Sequence, residues 1–523
     1  MSTSIHSPRT LPQPLRPSPD SRIIQSLQRM FLAIRENKAV SILVMTRRPH
    51  ERCLTLLFLL SLVLLNPWVR GDGVGYYAFA RAPLIEHSLA FERDYMSANL
   101  AFREARLDEQ GHPKPMFRTS TGHLENHFTV GPAMLWMPFL LPAHAGVLLA
   151  RALGSDVAAD GFSAPYRTAM ALGTAFWGFL GLLLSFRVAR QYAGDLWALL
   201  ATVGIWWASS LPVYMYFNPS WSHAHSAFSV ALFVWYWHKT RDHRSVRQWC
   251  ILALIAGLML NVYYANAMLL MILVVEAVRG YSEAVHQAAS RTKLVQLAAS
   301  HLLFGVIVLL CLLPTFITRY IIYGNPFATG YGPVQSWAWR SPYFLSVLFS
   351  SEHGLFSWTP VLLFATIGLV IFCWREPPVG TPLLAAALAF YLFIAAYPDW
   401  AGISSFGNRF FISLTPLFIV GLSVFLARVA TLFSTLRAAT AVASVVLVGF
   451  VLWNGAFMFQ WGEHLIPPRG PISWSRMVHN QVNVVPRLFF TRLEKYLLHR
   501  HDAMRQIEDR DIELLRQQSP QQD

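Results

Sequence analysis

Long apolar runs separated by short basic turns dominate this sequence and leave it few folds to choose from. A run of about 20 apolar residues can satisfy its backbone inside a bilayer only as a helix. Such runs lie at 53–69, 168–186, 196–214, 222–238, 249–263, 264–278, 298–318, 355–374, 380–397, 409–428 and 437–457. They predict an all-α polytopic membrane protein with about eleven transmembrane helices. The pair meeting at Asn261-Val262-Tyr263-Tyr264 is short, and one long tilted helix is the alternative there. Only 13% of the residues are charged, against about 25% in soluble domains. Mean hydropathy is +0.39.

The basic residues give an orientation. Arg47, Arg48 and Arg52 precede the first run; Lys239, Arg241, Arg244 and Arg247 fill one turn, and 279–293 holds three more. The positive-inside rule places these in the cytoplasm, with the N-terminus. The 70–128 loop, 218–222, 320–351, 397–408 and everything from Trp461 then face the other side. A net charge of +14 belongs to tails and turns that meet anionic headgroups. No basic patch sits in a soluble domain, so no nucleic acid is expected as a partner. The four cysteines form neither a CxxC nor a Cys-His cluster, which argues against a disulfide framework or a thiolate zinc site. The first run lacks a small-residue cleavage site and reads as a signal anchor. The cell (inner) membrane, crossed many times, is the expected location.

Three regions follow. Residues 1–51 form a cytoplasmic tail, Pro- and Ser-rich to 20. At 22–35, Ile23, Leu27, Met30, Phe31 and Ile34 recur at helical spacing between arginines, the pattern of a helix lying on a membrane. Residues 52–460 form the transmembrane domain, and 461–523 a tail of surface helices. The stretch 130–152 is apolar but holds Pro132, Pro138 and Pro142. A regular span is one reading; a broken segment at the interface that does not cross is the better one, because the next run ends at Arg187 and Arg190 and so must enter from outside.

The chemistry gathers in the outer loops. Gly71-Asp72-Gly73-Val74-Gly75-Tyr76-Tyr77 presents a carboxylate among small residues just beyond the first run. A charge so close to a membrane face is costly without a use or a partner. The long first loop also carries Lys114, Arg118, His123, Glu125 and His127; the next outer turn carries His223 and His225; later loops carry Glu352-His353 and Trp400 to Arg409. Each has a plainer alternative. Asp72 can cap a turn, Arg409 can snorkel to headgroups, and Glu352-His353 can cap the following helix. Lys114 and Arg118 can be solvated, and His223 and His225, two apart, point to different faces of a helix.

The order of these motifs resembles C-type glycosyltransferases that use polyprenyl-phosphate-linked sugars, the class of protein O-mannosyltransferases and lipid A aminoarabinose transferases. The resemblance rests on the Asp72 start, on Gly131-Pro132...Trp136...Pro138-Phe139, and on Trp400...Ser405-Phe406-Gly407-Asn408-Arg409, over about 50–460. It implies a GT-C-like fold, a polyprenyl-phosphate sugar donor, and a lipid, glycan or protein acceptor in the cell envelope. No Asp-Glu pair follows the first run, as it does in some members, so the second polar partner of Asp72 is open. The chemistry agrees with one carboxylate. A lipid phosphate leaves as a stable anion, so an inverting displacement needs only a base for the acceptor's proton. Glycosidases need a second carboxyl because their leaving group is poor. The expected base is Asp72, or Asp72 orients a divalent metal. Tyr76, Tyr77, Lys114, Arg118, His123, His127, His223, His225, Glu352, His353 and Arg409 are expected to bind substrate, with the cations meeting phosphate. The competing readings are a transporter or flippase of a lipid-linked glycan, a glycan polymerase or ligase, and a non-catalytic assembly protein.

Overall fold

The computed structural model describes residues 49–518, apart from 99, 287–290, 332, 333, 341 and 468. The helix expected at 22–35 and the flank at Arg47 and Arg48 lie outside the described residues. Among those described, the only β contacts are two isolated bridges, Leu107 with Pro113 and Arg118 with Leu124. Everything else regular is helical.

The first apolar run forms α1 (Pro49–Ser61), extended by a short 3-10 turn to Leu64. The helix carrying the carboxylate is α2 (Asp72–Arg81). Next come α3 (Gly131–Ala152), α4 (Ala164–Trp207) and α5 (His223–Thr240). The middle of the chain forms α6 (Val246–Val262), α7 (Met271–His286), α8 (Arg291–Cys311) and α9 (Leu313–Tyr323). The last apolar helices are α10 (Val361–Arg375), α11 (Pro377–Ala396), α12 (Thr415–Ala430) and α13 (Leu436–Gly462). The chain ends in α14 (Val485–Leu498) and α15 (Arg500–Gln518). Among the described residues, six helical stretches are long and apolar enough to cross a membrane: 131–152, 164–207, 291–311, 377–396, 409–430 and 436–462. With the shorter apolar helices α6 and α10, they make this an all-α polytopic membrane protein.

The breaks have local causes. Inside α4, Gly194 sits at φ 79°, ψ 169°, so two helices meet there, as the runs at 168–186 and 196–214 predict. Tyr263 is extended (φ −158°, ψ 123°) and ends α6, and 264–270 is a 3-10 segment. The pair is therefore two elements rather than one tilted helix, and the expected 264–278 span begins as a helix proper only at Met271. The 298–318 run divides at Leu312, just before Pro314, whose ring cannot donate to the preceding turn.

One expectation is corrected. Residues 131–152 are not broken: α3 is continuous through Pro138 and Pro142. The indole of Trp177 donates to the Leu135 carbonyl (2.8 Å) in the disturbed turn, the kind of outside support that lets proline persist in apolar helices. Trp136 donates to Thr174 (2.8 Å) and His144 bonds Tyr166 (2.6 Å), so α3 runs antiparallel to the start of α4. The connection between them meets α2, where Tyr77 donates to the Gly161 carbonyl (2.7 Å).

Leu135, Leu184, Phe228, Ala231 and Val262 pack into a core among α3, α4, α5 and α6. α10 and α12 approach closely: a Cβ on Gly368 would lie 1.9 Å from the Gly421 carbonyl, the contact small residues allow between apolar helices. The long first loop is held by charge. Arg81, 1% exposed, grips Asp94 through two bonds (2.7 and 2.6 Å) and Glu86 through two more (2.7 and 3.1 Å). Its guanidinium also lies 4.6 Å over the Phe162 ring. Arg319 of α9 donates to the carbonyls of Asn126, His127 and Phe128 (2.5, 2.8 and 2.7 Å). Two buried arginines thus fix both ends of loop one.

Candidate active site

The site begins at a glycine. Gly71 has φ +58°, and a Cβ there would meet the Trp221 ring at 2.8 Å, so the chain can turn into α2 there only without a side chain. Asp72 is then the first residue of the helix, where a carboxylate is favoured by the helix dipole. Gly73 lies flush on the next outer turn; a Cβ would stand 1.8 Å from Ser220 Oγ. Trp221 donates from its indole to the Arg70 carbonyl (2.9 Å), and Ser222 donates to the Tyr76 hydroxyl (2.9 Å). The carboxylate is thereby seated between two loops distant in sequence.

Its partner comes from a third. Arg409 Nη1 donates to Asp72 Oδ2 at 2.7 Å, and its guanidinium lies 4.5 Å over the Trp221 ring. The Arg409 side chain is 10% exposed and that of Asp72 33%, so the carboxylate still faces open space while the guanidinium is nearly covered. The 399–408 loop that delivers Arg409 is tightly wound: Gly402, Ile403 and Gly407 all have positive φ. Ile403 at φ 55° is costly for a β-branched residue. Buried His353 braces this loop through its bond to the Ala401 carbonyl (2.5 Å).

Around the pair lies a cavity of about 630 Å³, within the range of small-molecule sites. Arg70, Arg106, Arg409 and Arg469 line it with Asp72 and Asp399, so cations outnumber acids. Tyr76, Tyr263, Tyr331 and Tyr397 form much of the wall, and Trp337 and Phe393 an apolar side. His127 stands between Phe128 (4.2 Å) and Tyr331 (4.8 Å). Burial lowers its pKa to about 4, against the pull of Asp72, so it is neutral at pH 7. Burial also pushes the Tyr76 phenol up; it stays protonated and able to donate. Beside the ion pair, Ser220 Oγ, His223 Nδ1, Asn408 Oδ1 and Arg409 Nε are buried without a partner among the described residues. Buried polar atoms are normally bonded; of these four residues His223 and Arg409 line the cavity, and Ser220 and Asn408 do not.

Of the expected residues, the fold brings Asp72, Tyr76, His127, His223 and Arg409 to the cavity wall. The others stand elsewhere. Tyr77 turns away to Gly161. Lys114 donates to the Glu104 carbonyl (2.5 Å), and Arg118 is exposed; neither lines the cavity, because the small bridged turns of loop one carry them outward. His123 bonds Thr121 (3.0 Å). His225 packs edge-on against Trp136 (5.1 Å), and Glu352 lies in a turn with its N–H on Ser350 (3.0 Å). His353 serves behind the 399–408 loop. The wall residues not expected are Arg70, Arg106, Arg469, Asp399 and the tyrosines at 263, 331 and 397. Arg70, Tyr263, Asp399 and Tyr397 stand at or beside the ends of apolar runs, a signal that also suits interfacial anchors; Arg106, Tyr331 and Arg469 lie inside polar segments and carried no signal.

A divalent metal has little to hold it here. The partner of Asp72 is a guanidinium, and among the described residues no three His, Cys, Asp or Glu side chains gather. Oxygen-liganded ions need several such donors.

No family model matches the chain, and no curated protein does. In fold it is similar to solved membrane enzymes. One is the archaeal oligosaccharyltransferase AglB from Archaeoglobus fulgidus, in complex with an inhibitory peptide and a dolichol-phosphate; TM-score 0.42, 13% identity, covering 84% of this chain and 54% of that one. Another is that organism's oligosaccharyltransferase in complex with Zn and sulfate (TM-score 0.43, 16% identity, 76% and 51%). A third is ArnT from Cupriavidus metallidurans bound to undecaprenyl phosphate (TM-score 0.41, 14% identity, 78% and 70%). The chain spans about half the length of the oligosaccharyltransferase chains it matches.

Proposed function

We propose that this protein transfers a glycosyl unit from a polyprenyl-phosphate-linked donor to a cell-envelope acceptor on the outer face of the inner membrane. The observation that carries the reading is the Asp72–Arg409 pair at the wall of a cationic, aromatic cavity. Asp72 offers a part-exposed carboxylate, and the arginines offer charge for a departing phosphate.

In the proposed step an acceptor hydroxyl oxygen attacks the anomeric carbon of the donor. The bond from that carbon to the phosphate oxygen breaks, and its electron pair leaves with the phosphate. The acceptor's proton passes to the Asp72 oxygen that Arg409 does not hold. One displacement inverts the anomeric centre. Arg409 keeps the carboxylate aimed and, with Arg70, Arg106 and Arg469, meets the phosphate. Stacking on the tyrosines orients the sugar.

The test uses full-length protein in liposomes supplied with polyprenyl-phosphate-linked sugars and, as acceptor, a cell-envelope extract. Donor consumption is expected with wild type and not with empty liposomes. Turnover that follows a soluble nucleotide sugar instead would overturn the assignment.

A further inference from the structure

A second cavity, of about 590 Å³, lies between the end of the first apolar run and the C-terminal helix. Trp68 lines it just beyond that run, Arg167 comes from the first turn of α4, and Arg500 and Arg505 come from α15. Its charge is not balanced by ion pairs. Among the described residues no carboxylate lies within ion-pair distance of Arg167, and its Nε is buried with no hydrogen-bond partner. Arg500 spends its donors on the backbone carbonyls of Val63, Leu65 and Tyr496, which orient it and leave its charge in place. Arg505 is exposed. Glu508 and Asp509 also line the cavity, so three arginines stand against two acids there. A guanidinium cannot shed its proton to escape a half-buried setting, so an unmatched one points to an anion from outside the chain.

We infer that this cavity binds a phosphate group carried on a lipid headgroup. The planar donors of Arg167 suit phosphate oxygens, Arg505 adds a second charge, and Trp68 is the residue type found at headgroup level. The place agrees: the cavity opens where the apolar helix ends. It also has a consequence for the first cavity. Ile507 of α15 lines the candidate active site, while Met504 and Glu508 on the same helix line the second cavity. A bound headgroup therefore pins the helix that walls the other site.

The experiment needs no glycosyl transfer and so stands apart from the proposed activity. Full-length protein in neutral detergent is titrated with phosphatidylglycerol, with phosphatidylcholine of the same chains, and with inorganic phosphate, and bound molecules are counted by native mass spectrometry. Phosphatidylglycerol should bind at least tenfold more tightly than phosphatidylcholine, and inorganic phosphate alone should compete weakly. Arg167→Gln and Arg505→Gln should each weaken phosphatidylglycerol about tenfold, the range for a hydrogen bond to a charged group, and Arg167→Lys should restore part of it. Among the described residues Arg505 has no hydrogen bond or ion pair to lose, so that variant is expected to fold whatever the outcome at Arg167. Equal binding of phosphatidylglycerol to wild type and both Gln variants would overturn the site. Tight binding of inorganic phosphate, undiminished by added lipid, would overturn the lipid source.

Discussion

At the scale of single residues, the decisive pair is Asp72 and Arg409. Asp72→Asn keeps the size and the turn-capping capacity but removes the charge that takes the proton. Turnover in proteoliposomes should fall on the order of 10²-fold or more, with donor binding retained. Asn is a good substitute for a carboxylate that only caps a turn, so near-normal turnover would remove Asp72 from the mechanism. His127 gives a second expectation, read by pH. Its folded-state pKa is about 4 against an ordinary 6.5, chiefly through burial. His353 is shifted the same way, to about 4, by burial and by the nearby Arg409 charge. The unfolded chain therefore binds more protons between these values. Their contribution to stability is complete above pH 6.5 and is lost as pH falls toward 4. Thermal unfolding in detergent should show a Tm that declines over that window, and His127→Gln should flatten the decline.

At the scale of elements, loop one is positioned by arginines rather than by an apolar core of its own. Arg81 ties α2 to Asp94 and Glu86 in a dry setting. Arg81→Met would strand two carboxylates and should cost about 3–5 kcal/mol. Protease digestion within 86–130, at concentrations that leave wild type intact, measures it. This element level is also where the sequence was least legible. The glycines and the carboxylate of 71–77 stood out as a motif, but nothing in the spacing says that Tyr76 faces the cavity and Tyr77 the Gly161 carbonyl. Lys114 and Arg118 were the loop cations expected at the site, and Arg106 was not among them. The fold turns Arg106 inward, over the rings of Tyr95 and Phe117 (5.0 Å each), and leaves the other two outside. Three prolines in α3 argued for a break, yet the packing of Trp136, Phe139 and Leu135 against α4 holds the helix continuous.

At the scale of the whole molecule, orientation is the open expectation. The basic turns place loop one and the site on the outer side. With the native cysteines replaced, Gln110→Cys should react with an impermeant maleimide on intact cells. Labelling only after permeabilisation would reverse the topology. What the sequence by itself determined is the class of architecture; it also singled out Asp72 as the acid to propose. Apolar runs of membrane length admit only helices, and a lone carboxylate beside such a run needs a use. Tertiary structure decided the rest of the site. It paired Asp72 with Arg409, 337 positions away, chose Arg70, Arg106 and Arg469 over Lys114 and Arg118, and brought the C-terminal helix to the cavity wall. The reason is physical. Hydropathy constrains each run against the lipid it meets, whereas which charges face one another depends on helix packing and loop closure, which join residues with no local relation in the chain.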